Sequence, residues 1–434
     1  MSKNTHNKEK FGLKELIAIG VGGMIGGGIF SVLGLAVDIS GHAAPIAFGV
    51  GSVIALAAGY SYIKLALTYH NDGASFTYLE RAFPNQPNVA GIAGWTIIVG
   101  YIGTLALYAF TFGAYGADLF GQAGSGIVRM FLSLSVLLFF MLVNLYGVKA
   151  SGETEDIVVY TKIILLTIFA VIGLFFVKGE FILPLVNKGA SSIFLGGALI
   201  FVAYEGFQLI TNAVCETENP ERNVPRGIYG SIIITSIIYV VIAVVGVGNL
   251  SPQAFHAAKE YALAAAAEPI LGNAGRVLIA VAALLATSSA INGTVFGASR
   301  MMAEMATQEK MPAAFSLRNR TKVPWLAVVI LTVLASMFTL VNGLEMIASF
   351  SSMTFLLVSV GVSIANLRLR KKTKSKLALI LLGLILMLTT IVLLVVYLWS
   401  HSRNTLVWIV FFYVAVMIME FIFSKRNIFR KKLK

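Results

Sequence analysis

The sequence predicts an all-α integral membrane protein with twelve transmembrane helices, and three observations support this prediction. Apolar residues make up 58 % of the 434 positions and charged residues only 12 %, and the mean hydropathy is +0.85. A water-soluble chain of this composition would expose large apolar patches and aggregate. The apolar stretches also recur from Phe11 to Phe423 with only short breaks, which leaves no room for a polar linker between domains. We therefore expect one membrane domain with lipid as its solvent.

Each predicted segment is an apolar stretch of about 20 residues, the length a helix needs to cross the hydrocarbon core of a bilayer. Numbered in chain order, the twelve segments are Phe11–Val37, Pro45–Tyr69, Val89–Phe120, Ile127–Tyr146, Ile157–Val177, Ser192–Val214, Gly227–Val247, Gly275–Met302, Leu326–Leu340, Ile347–Ala365, Leu377–Trp399 and Val407–Phe423. The alanine-rich stretch Pro252–Glu268 is only moderately apolar. We expect it to form a surface helix outside the membrane.

Lysine and arginine residues predict the orientation, because the cytoplasmic loops of membrane proteins are enriched in them. Twelve segments place both chain ends on one side, and the basic residues concentrate in the loops of that side. They occur in the N-terminal tail, the cluster 318–322, the run 368–376 and the tail 425–434. Both termini are therefore expected in the cytoplasm. The net charge of +13 then acts as an orientation signal beside anionic lipid, and a nucleic-acid partner is not expected.

The residues give little support to an enzyme. The single cysteine, Cys215, excludes an intramolecular disulfide and a cysteine-based metal cluster. The five histidines are scattered, and no zinc-protease, P-loop or nucleophile-elbow pattern occurs. We expect no enzyme activity, no metal and no cofactor. A cleavable signal peptide is not expected either, because the first apolar segment is too long for one.

The first segment contains six glycines in the nine positions 20–28. Each glycine lowers helix propensity by about 1 kcal/mol relative to alanine, and freed backbone is tolerated at membrane depth only where it lines a cavity or is buried in protein. Close helix packing is the alternative use of glycine in a membrane. The adjacent glycines Gly26, Gly27 and Gly28 would lie on three different faces of a helix. Close packing against one neighbouring helix requires glycine on only one face. We predict that the first helix is broken here.

The sixth segment carries a second interruption, where Glu205 and Gly206 stand inside the otherwise apolar run 201–207. Segments 1 and 6 hold corresponding places in two halves of five, which is the pattern of an inverted-repeat transporter. The expected units are cytoplasmic tails at 1–10 and 425–434, a core of ten helices over 11–366 and two further helices over 367–424. Broken helix ends would present N–H groups to an anion and carbonyl groups to a cation, so a zwitterion fits both.

Three motifs resemble signatures of the amino acid-polyamine-organocation superfamily of transporters. Residues 22–30 are similar to its first-helix signature, 201–207 to its sixth-helix signature, and ETENPERNVPR at 216–226 to the loop that follows. The likeness extends over nearly the whole chain, including 301–312. It is greatest for the proton-coupled transporters of broad amino acid specificity. It implies the five-plus-five inverted repeat and alternating access.

The resemblance also implies that backbone atoms of the two broken helices bind an amino acid. The amides of Gly27 and Gly28 would hold its carboxylate. The carbonyls of Met24, Val202 and Glu205 would face its ammonium group. The expected substrate-binding residues are Met24, Ile25, Gly26, Gly27, Gly28, Val202, Tyr204, Glu205 and Gly206.

Lys162 stands inside the apolar run of segment 5. A lysine there costs about 2.5 to 3.5 kcal/mol on insertion scales, so its presence points to a function, with snorkelling to the cytoplasmic interface as the alternative. In the proton-coupled relatives, a lysine at the matching position replaces a sodium ion. The resemblance therefore implies that Lys162 pairs with the carbonyl of Gly22 and couples transport to protons. Segment 8 would add a hydroxyl from Thr287, Ser288 or Ser289.

The role of Glu205, the other intramembrane charge of interest, stays open at this point. Its carboxylate could contact a cationic side chain of lysine or arginine, cap the broken helix, or stay protonated. Tyr204 and Phe207 could line or gate the pocket, or serve only in packing. The loop 216–226 could be a simple turn or a loop linked to a gate.

The expected function is proton-driven symport of amino acids across the cytoplasmic membrane, with an amino acid, a proton and the lipid bilayer as partners. An exchanger or a polyamine carrier would use the same fold and the same helix breaks. A channel or a non-transporting nutrient receptor is an alternative of another class, because fold alone does not give function. The sequence leaves the preferred side chain and the oligomeric state open.

Overall fold

The computed structural model describes residues 10–70, 74–147, 152–341 and 343–431. In these ranges the regular structure is helical, apart from one isolated parallel β-bridge between Phe11 and Thr217, so the all-α prediction is confirmed. The first α-helices are α1 Leu13–Met24, α2 Gly28–Ser40, α3 Ala44–Tyr69, α4 Ala74–Ala82, α5 Pro87–Leu119, α6 Gly126–Tyr146, α7 Gly152–Leu174 and α8 Gly179–Ile182. The outermost parts of the two expected tails, 1–9 and 432–434, lie outside the described residues.

Ten further α-helices follow α8 in the described residues. They are α9 Ala190–Leu199, α10 Leu209–Asn212, α11 Pro220–Asn249, α12 Pro252–Ala257, α13 Ala262–Thr307, α14 Trp325–Val341, α15 Leu344–Arg368, α16 Arg370–Thr373, α17 Leu377–His401 and α18 Arg403–Lys431. A 3-10 helix, Ile200–Gln208, connects α9 to α10. Each of the twelve predicted segments coincides with one of these helices or with a set of consecutive ones.

The helical stretches have the length and composition of a multi-pass membrane protein. Among the described residues, nine stretches are long and apolar enough to cross a bilayer. Two shorter apolar helices, Val159–Leu174 and Trp325–Val341, correspond to segments 5 and 9. One of the nine stretches, Gly28–Tyr69, combines half of segment 1 with segment 2. The multi-pass prediction is confirmed, and the count of twelve crossings stays a prediction.

Burial separates central helices from peripheral ones. In the most apolar stretch of each helix, the share that is buried inside the protein is 83 % for α15 and 78 % for α5. The corresponding share is 22 % for α18 and 17 % for α6. Apolar side chains cover the exposed faces of the peripheral helices, for example Phe131 and Phe139 on α6. Such faces suit lipid contact, because a water-exposed surface would not carry them. The centre of the molecule therefore lies around α2, α5, α15 and the 3-10 helix 200–208.

Helix α11 begins at Pro220, seven residues before the predicted start of segment 7. Asn219 precedes it in the left-handed conformation (φ 45°), and Pro220 occupies the first turn. A proline costs little there because its missing N–H would have no intrahelical acceptor. The prediction of a loop over all of 216–226 was therefore wrong in its second half.

The alanine-rich stretch forms two helices instead of the single one predicted. Helix α12 ends at Ala257, and α13 begins at Ala262 and continues through segment 8. Within α13 the chain bends at Gly272, whose φ of 64° is readily adopted only by glycine. At the other end of the chain, α18 extends to Lys431 and so enters the expected tail.

Candidate functional site

The first helix is interrupted between α1 and α2. The amide of Ile25 still donates to the carbonyl of Val21 at 2.8 Å, but Gly27 has left the helical conformation with φ −128° and ψ −6°. No side chain caps the N-terminus of α2. Because the first N–H groups of a helix lack intrahelical acceptors, this end of α2 has the chemistry of an anion site. The carbonyl of Gly27 is already used by the hydroxyl of Ser31 at 2.7 Å.

The interruption of segment 6 is a tightening of the helix into the 3-10 form, not an extended gap. Ser352 of α15 supports its beginning. The hydroxyl of Ser352 donates to the carbonyl of Leu199 at 2.5 Å and accepts from the amide of Val202 at 3.0 Å. Ser352 was not predicted from the sequence, although a hydroxyl buried in an apolar segment is a usable signal for such a contact.

The two interruptions touch each other through their backbones. A Cβ atom on Gly206 would collide with the amide nitrogen of Met24 and the carbonyl carbon of Gly23. A Cβ atom on Gly23 would lie 3.2 Å from the Cα atom of Gly206. Glycine is therefore required at Gly206, because any side chain would separate the two segments.

Tyr239 of α11 joins the two interruptions. Its hydroxyl donates to the carbonyl of Met24 at 2.5 Å and lies 3.3 Å from the carbonyl of Ala203. A Cβ atom on Gly28 would lie 2.7 Å from the same hydroxyl. The carbonyl of Met24, expected to face the substrate ammonium, is thus bonded to a protein hydroxyl. Sequence reasoning missed Tyr239, because one tyrosine in an apolar segment has the pattern of a packing residue.

Helix α5 forms another wall of the site. The ring of Tyr108 packs so closely on Gly27 that a Cβ atom there would overlap the ring. One turn earlier, the hydroxyl of Thr104 donates to Glu205 Oε1 at 3.2 Å. The other carboxylate oxygen of Glu205 is buried and has no hydrogen-bond partner among the described residues. Neither Tyr108 nor Thr104 was singled out from the sequence.

Tyr204 and Phe207 are both fully buried. The hydroxyl of Tyr204 donates to the carbonyl of Phe48 at 2.8 Å, and its ring packs edge-on against Tyr239 with centroids 5.4 Å apart. Phe207 packs edge-on against Tyr62, also with centroids 5.4 Å apart. Both rings therefore pack in the core beside the 3-10 helix, and a gating role for either stays a prediction.

The ammonium group of Lys162 lies in the protein interior. The residue is 1 % exposed, and its Nζ donates to the carbonyl of Gly22 at 3.0 Å. A Cβ atom on Gly22 would lie 3.0 Å from the side chain of Val159, so α7 packs closely on α1 here. Of the expected hydroxyls, that of Thr287 donates to the carbonyl of Ala283 in its own helix at 2.7 Å, and Ser288 is half-buried. Contacts of either hydroxyl with Lys162 stay predictions.

The far end of α2 is closed by the α12–α13 connection. Asp38 pairs with His256 at 2.8 Å and with Lys259 at 3.8 Å. Gly34 packs so closely on the carbonyl of Lys259 that a side chain would not fit. A cavity of about 400 Å³ lies beside these charges, lined in part by Val37. This cavity is at the end of α2, away from the helix breaks, so it is not the substrate site expected there.

The start of α1 is joined to the chain that follows segment 6. The amide of Phe11 donates to the carbonyl of Glu216 at 2.8 Å, and the amide of Glu218 donates to the carbonyl of Phe11 at 2.9 Å. Both interrupted segments are therefore connected at this end as well as at their breaks.

Comparison with known proteins agrees with this architecture. The family model for amino acid permeases matches residues 11–422. The chain is 30 % identical to an uncharacterised protein of Methanocaldococcus jannaschii over 418 residues, which is 96 % of each chain. It is 28 % identical to the inner membrane transport protein YbaT of Escherichia coli over 432 residues, or 98 % of this chain and 99 % of that one. It is also 28 % identical to the serine/threonine exchanger SteT of Bacillus subtilis over 356 residues, or 79 % of each.

The family model and the first two relatives span nearly the whole chain, so the likeness concerns the complete membrane domain and not one motif. They confirm the predicted superfamily and the prediction of a transporter that is not an enzyme. This chain belongs to the amino acid permease family of membrane transporters.

Proposed function

We propose that the protein takes up amino acids together with protons across the cytoplasmic membrane, as a secondary active transporter that works by alternating access. In this proposal the twelve segments cross the membrane with both termini in the cytoplasm. Segments 1–10 form a five-plus-five inverted repeat, and segments 11 and 12 stand outside it. The observation that supports the proposal most directly is the interior contact between Lys162 and the carbonyl of Gly22 at 3.0 Å.

The substrate would bind where the two interruptions meet. Its carboxylate would accept hydrogen bonds from the amides of Gly27 and Gly28 at the uncapped N-terminus of α2. Its ammonium group would contact carbonyls of the 3-10 helix 200–208, with those of Val202 and Glu205 as the candidates. Ile25, Gly26 and Gly206 would shape the site through their backbones, because the two chains approach too closely for side chains at the glycines.

Lys162 would link protons to movement of α1. As an ammonium group it bonds the carbonyl of Gly22, two residues before the end of α1. A neutral lysine amine is a weaker donor than an ammonium group, so loss of the proton weakens this connection between α7 and α1. Movement of α1 changes the break that holds the substrate. Proton release and substrate release would therefore occur together.

The test is uptake of a labelled amino acid panel into liposomes that contain the purified protein, in sodium-free buffer. An inward proton gradient should drive accumulation. Lys162→Ala should bind substrate but no longer accumulate it. Lys64→Ala is the matched control, because the Lys64 ammonium lies beside the ring of Tyr60, 6.0 Å from its centroid, outside the site. Accumulation at the original rate by Lys162→Ala would remove Lys162 from the mechanism.

Obligate exchange is the second candidate function, because one relative is a serine/threonine exchanger. It would use the same two interruptions and the same substrate contacts. Uptake that appears only in liposomes preloaded with amino acid would identify exchange. Lys162 would then be a fixed cation that stabilises the end of α1.

A further inference from the structure

The side chain of Glu205 points from the 3-10 helix 200–208 towards α5. Its Oε1 atom accepts a hydrogen bond from Thr104 at 3.2 Å. Among the described residues, no lysine, arginine or histidine forms an ion pair with the carboxylate. The carboxylate is thus held inside the protein without a cationic partner there.

The second carboxylate oxygen of Glu205 has no hydrogen-bond partner in the part of the chain that the structure describes. This atom, Oε2, is buried. An ionised carboxylate needs a donor at this atom and a protonated one needs an acceptor, and a buried group left without either is costly. The atom is therefore placed to receive a group from outside the chain.

The position of Glu205 relative to the break of segment 1 indicates which group this is. Tyr108 packs on Gly27, where the substrate carboxylate would bind, and Thr104 contacts Glu205. Tyr108 follows Thr104 by four positions on α5, which is about 6 Å along a helix axis. The five bonds from Cα to the nitrogen of a lysine side chain, at about 1.5 Å each, cover a similar distance. A side chain of that length would reach the carboxylate.

We infer that Glu205 selects amino acids with a cationic side chain, by pairing its carboxylate with an ammonium or guanidinium group such as that of lysine, ornithine or arginine. This inference rests on the proposed function, because it assumes that the substrate carboxylate binds at Gly27 and Gly28. A neutral side chain would leave Glu205 with the same unsatisfied oxygen, whereas a cationic one satisfies it with a charge-assisted hydrogen bond.

Two more polar groups continue from Glu205 along the same helix. Gln208 Nε2 and Asn212 Oδ1 are also buried without a hydrogen-bond partner among the described residues. In a 3-10 helix, residues three apart lie on the same side, so Gln208 follows Glu205 directly. Asn212 lies one turn further, at the end of α10. Three buried polar side chains therefore follow one another along this segment, which is more than an apolar packing surface would carry.

The experiment compares lysine with norleucine, which has the same carbon chain but no side-chain ammonium group. Unlabelled lysine or norleucine is added as a competitor, and the uptake of a labelled amino acid into liposomes is measured. The measurement is made with the native chain and with Glu205→Gln. We expect lysine to compete about tenfold or more better than norleucine with the native chain, which is the effect of one charge-assisted bond to a buried partner. Glu205→Gln should lower this preference by about the same factor. Glu304→Gln is the matched control, because Glu304 is exposed and its partner is Gln308.

The outcomes separate this inference from the proposed function. Equal competition by lysine and norleucine against uptake by the native chain would overturn the role of Glu205 and leave amino acid transport intact. Uptake of no amino acid at all would instead contradict the proposed function. If Glu205→Gln does not fold, Thr104→Val replaces it. This variant removes the donor to Oε1 but keeps the charge, so it should retain the preference for lysine, and loss of that preference would also count against the inference.

Discussion

Removal of the Tyr239 hydroxyl should break its hydrogen bonds to the two interrupted segments without changing the shape of the core. Tyr239→Phe deletes one oxygen atom, which donates to the carbonyl of Met24 at 2.5 Å and lies 3.3 Å from the carbonyl of Ala203. Both carbonyls belong to segments that bind substrate in the proposed function. The tyrosine is fully buried, so water does not readily replace the lost donor.

The size of the effect follows from the bonds lost. A buried acceptor left without a donor costs about 1 to 3 kcal/mol, and hydrogen bonds between membrane helices contribute about 0.6 kcal/mol on average. We expect Tyr239→Phe to lower the free energy of unfolding by about 1 to 2 kcal/mol. If about 1 kcal/mol of this appears in binding, the dissociation constant rises about fivefold. The reason is that the carbonyl of Met24 and the break behind it would no longer be held in position.

The assay is substrate binding by the purified protein, combined with thermal unfolding in detergent. Tyr115→Phe is the matched control. The Tyr115 hydroxyl is equally buried and donates to the carbonyl of Phe30 at 3.1 Å, within α2 and beyond the breaks. Both variants should unfold at a lower temperature, but only Tyr239→Phe should bind substrate more weakly. Equal affinity in the two variants would refute the view that Tyr239 holds the breaks in their binding geometry.

Two other substitutions test separate parts of the molecule. Gly27→Val should abolish binding, because its Cβ atom would overlap the ring of Tyr108, and overpacking of this kind costs about 1 to 3 kcal/mol. Gly49→Val is its control, since a Cβ atom on Gly49 meets no atom within 4 Å, and equal loss in both would contradict the site. Asp38→Asn removes the carboxylate that contacts His256 and pairs with Lys259, which should destabilise this connection by under about 1 kcal/mol, as for exposed pairs. Hydrogen exchange over 252–261 should then be up to about fivefold faster, and unchanged exchange would show that the ion pair does not hold this connection.

The helical architecture followed from the sequence because apolar length and glycine content are local properties. Six glycines over 20–28 predicted an interruption, and α1 and α2 are separated there. The second interruption was predicted at the right place but in the wrong form. Glu205 and Gly206 indicated a break, whereas the chain forms a 3-10 helix over 200–208, which the contacts of Ser352 support.

Parts of the site could not be predicted because they depend on contacts between distant segments. Tyr239 lies 215 positions after Met24 and has nothing nearby in sequence to mark its hydroxyl as a donor. The same is true of Thr104, whose contact with Glu205 spans 101 positions. The split of 252–268 into two helices accompanies packing of both α12 and α13 against α2. These features follow from tertiary packing, which overrides local propensity.

Proton movement caused by substrate distinguishes proton symport from other modes of transport. Liposomes containing the protein and an internal pH dye would receive external amino acid in sodium-free buffer, with no imposed pH gradient and with potassium and valinomycin to prevent a membrane potential. For a proton symporter, the interior should become acidic as substrate enters. Lys162→Ala, which removes the ammonium group from the carbonyl of Gly22, should abolish this acidification. Substrate uptake by the native chain without any change in internal pH would contradict proton symport.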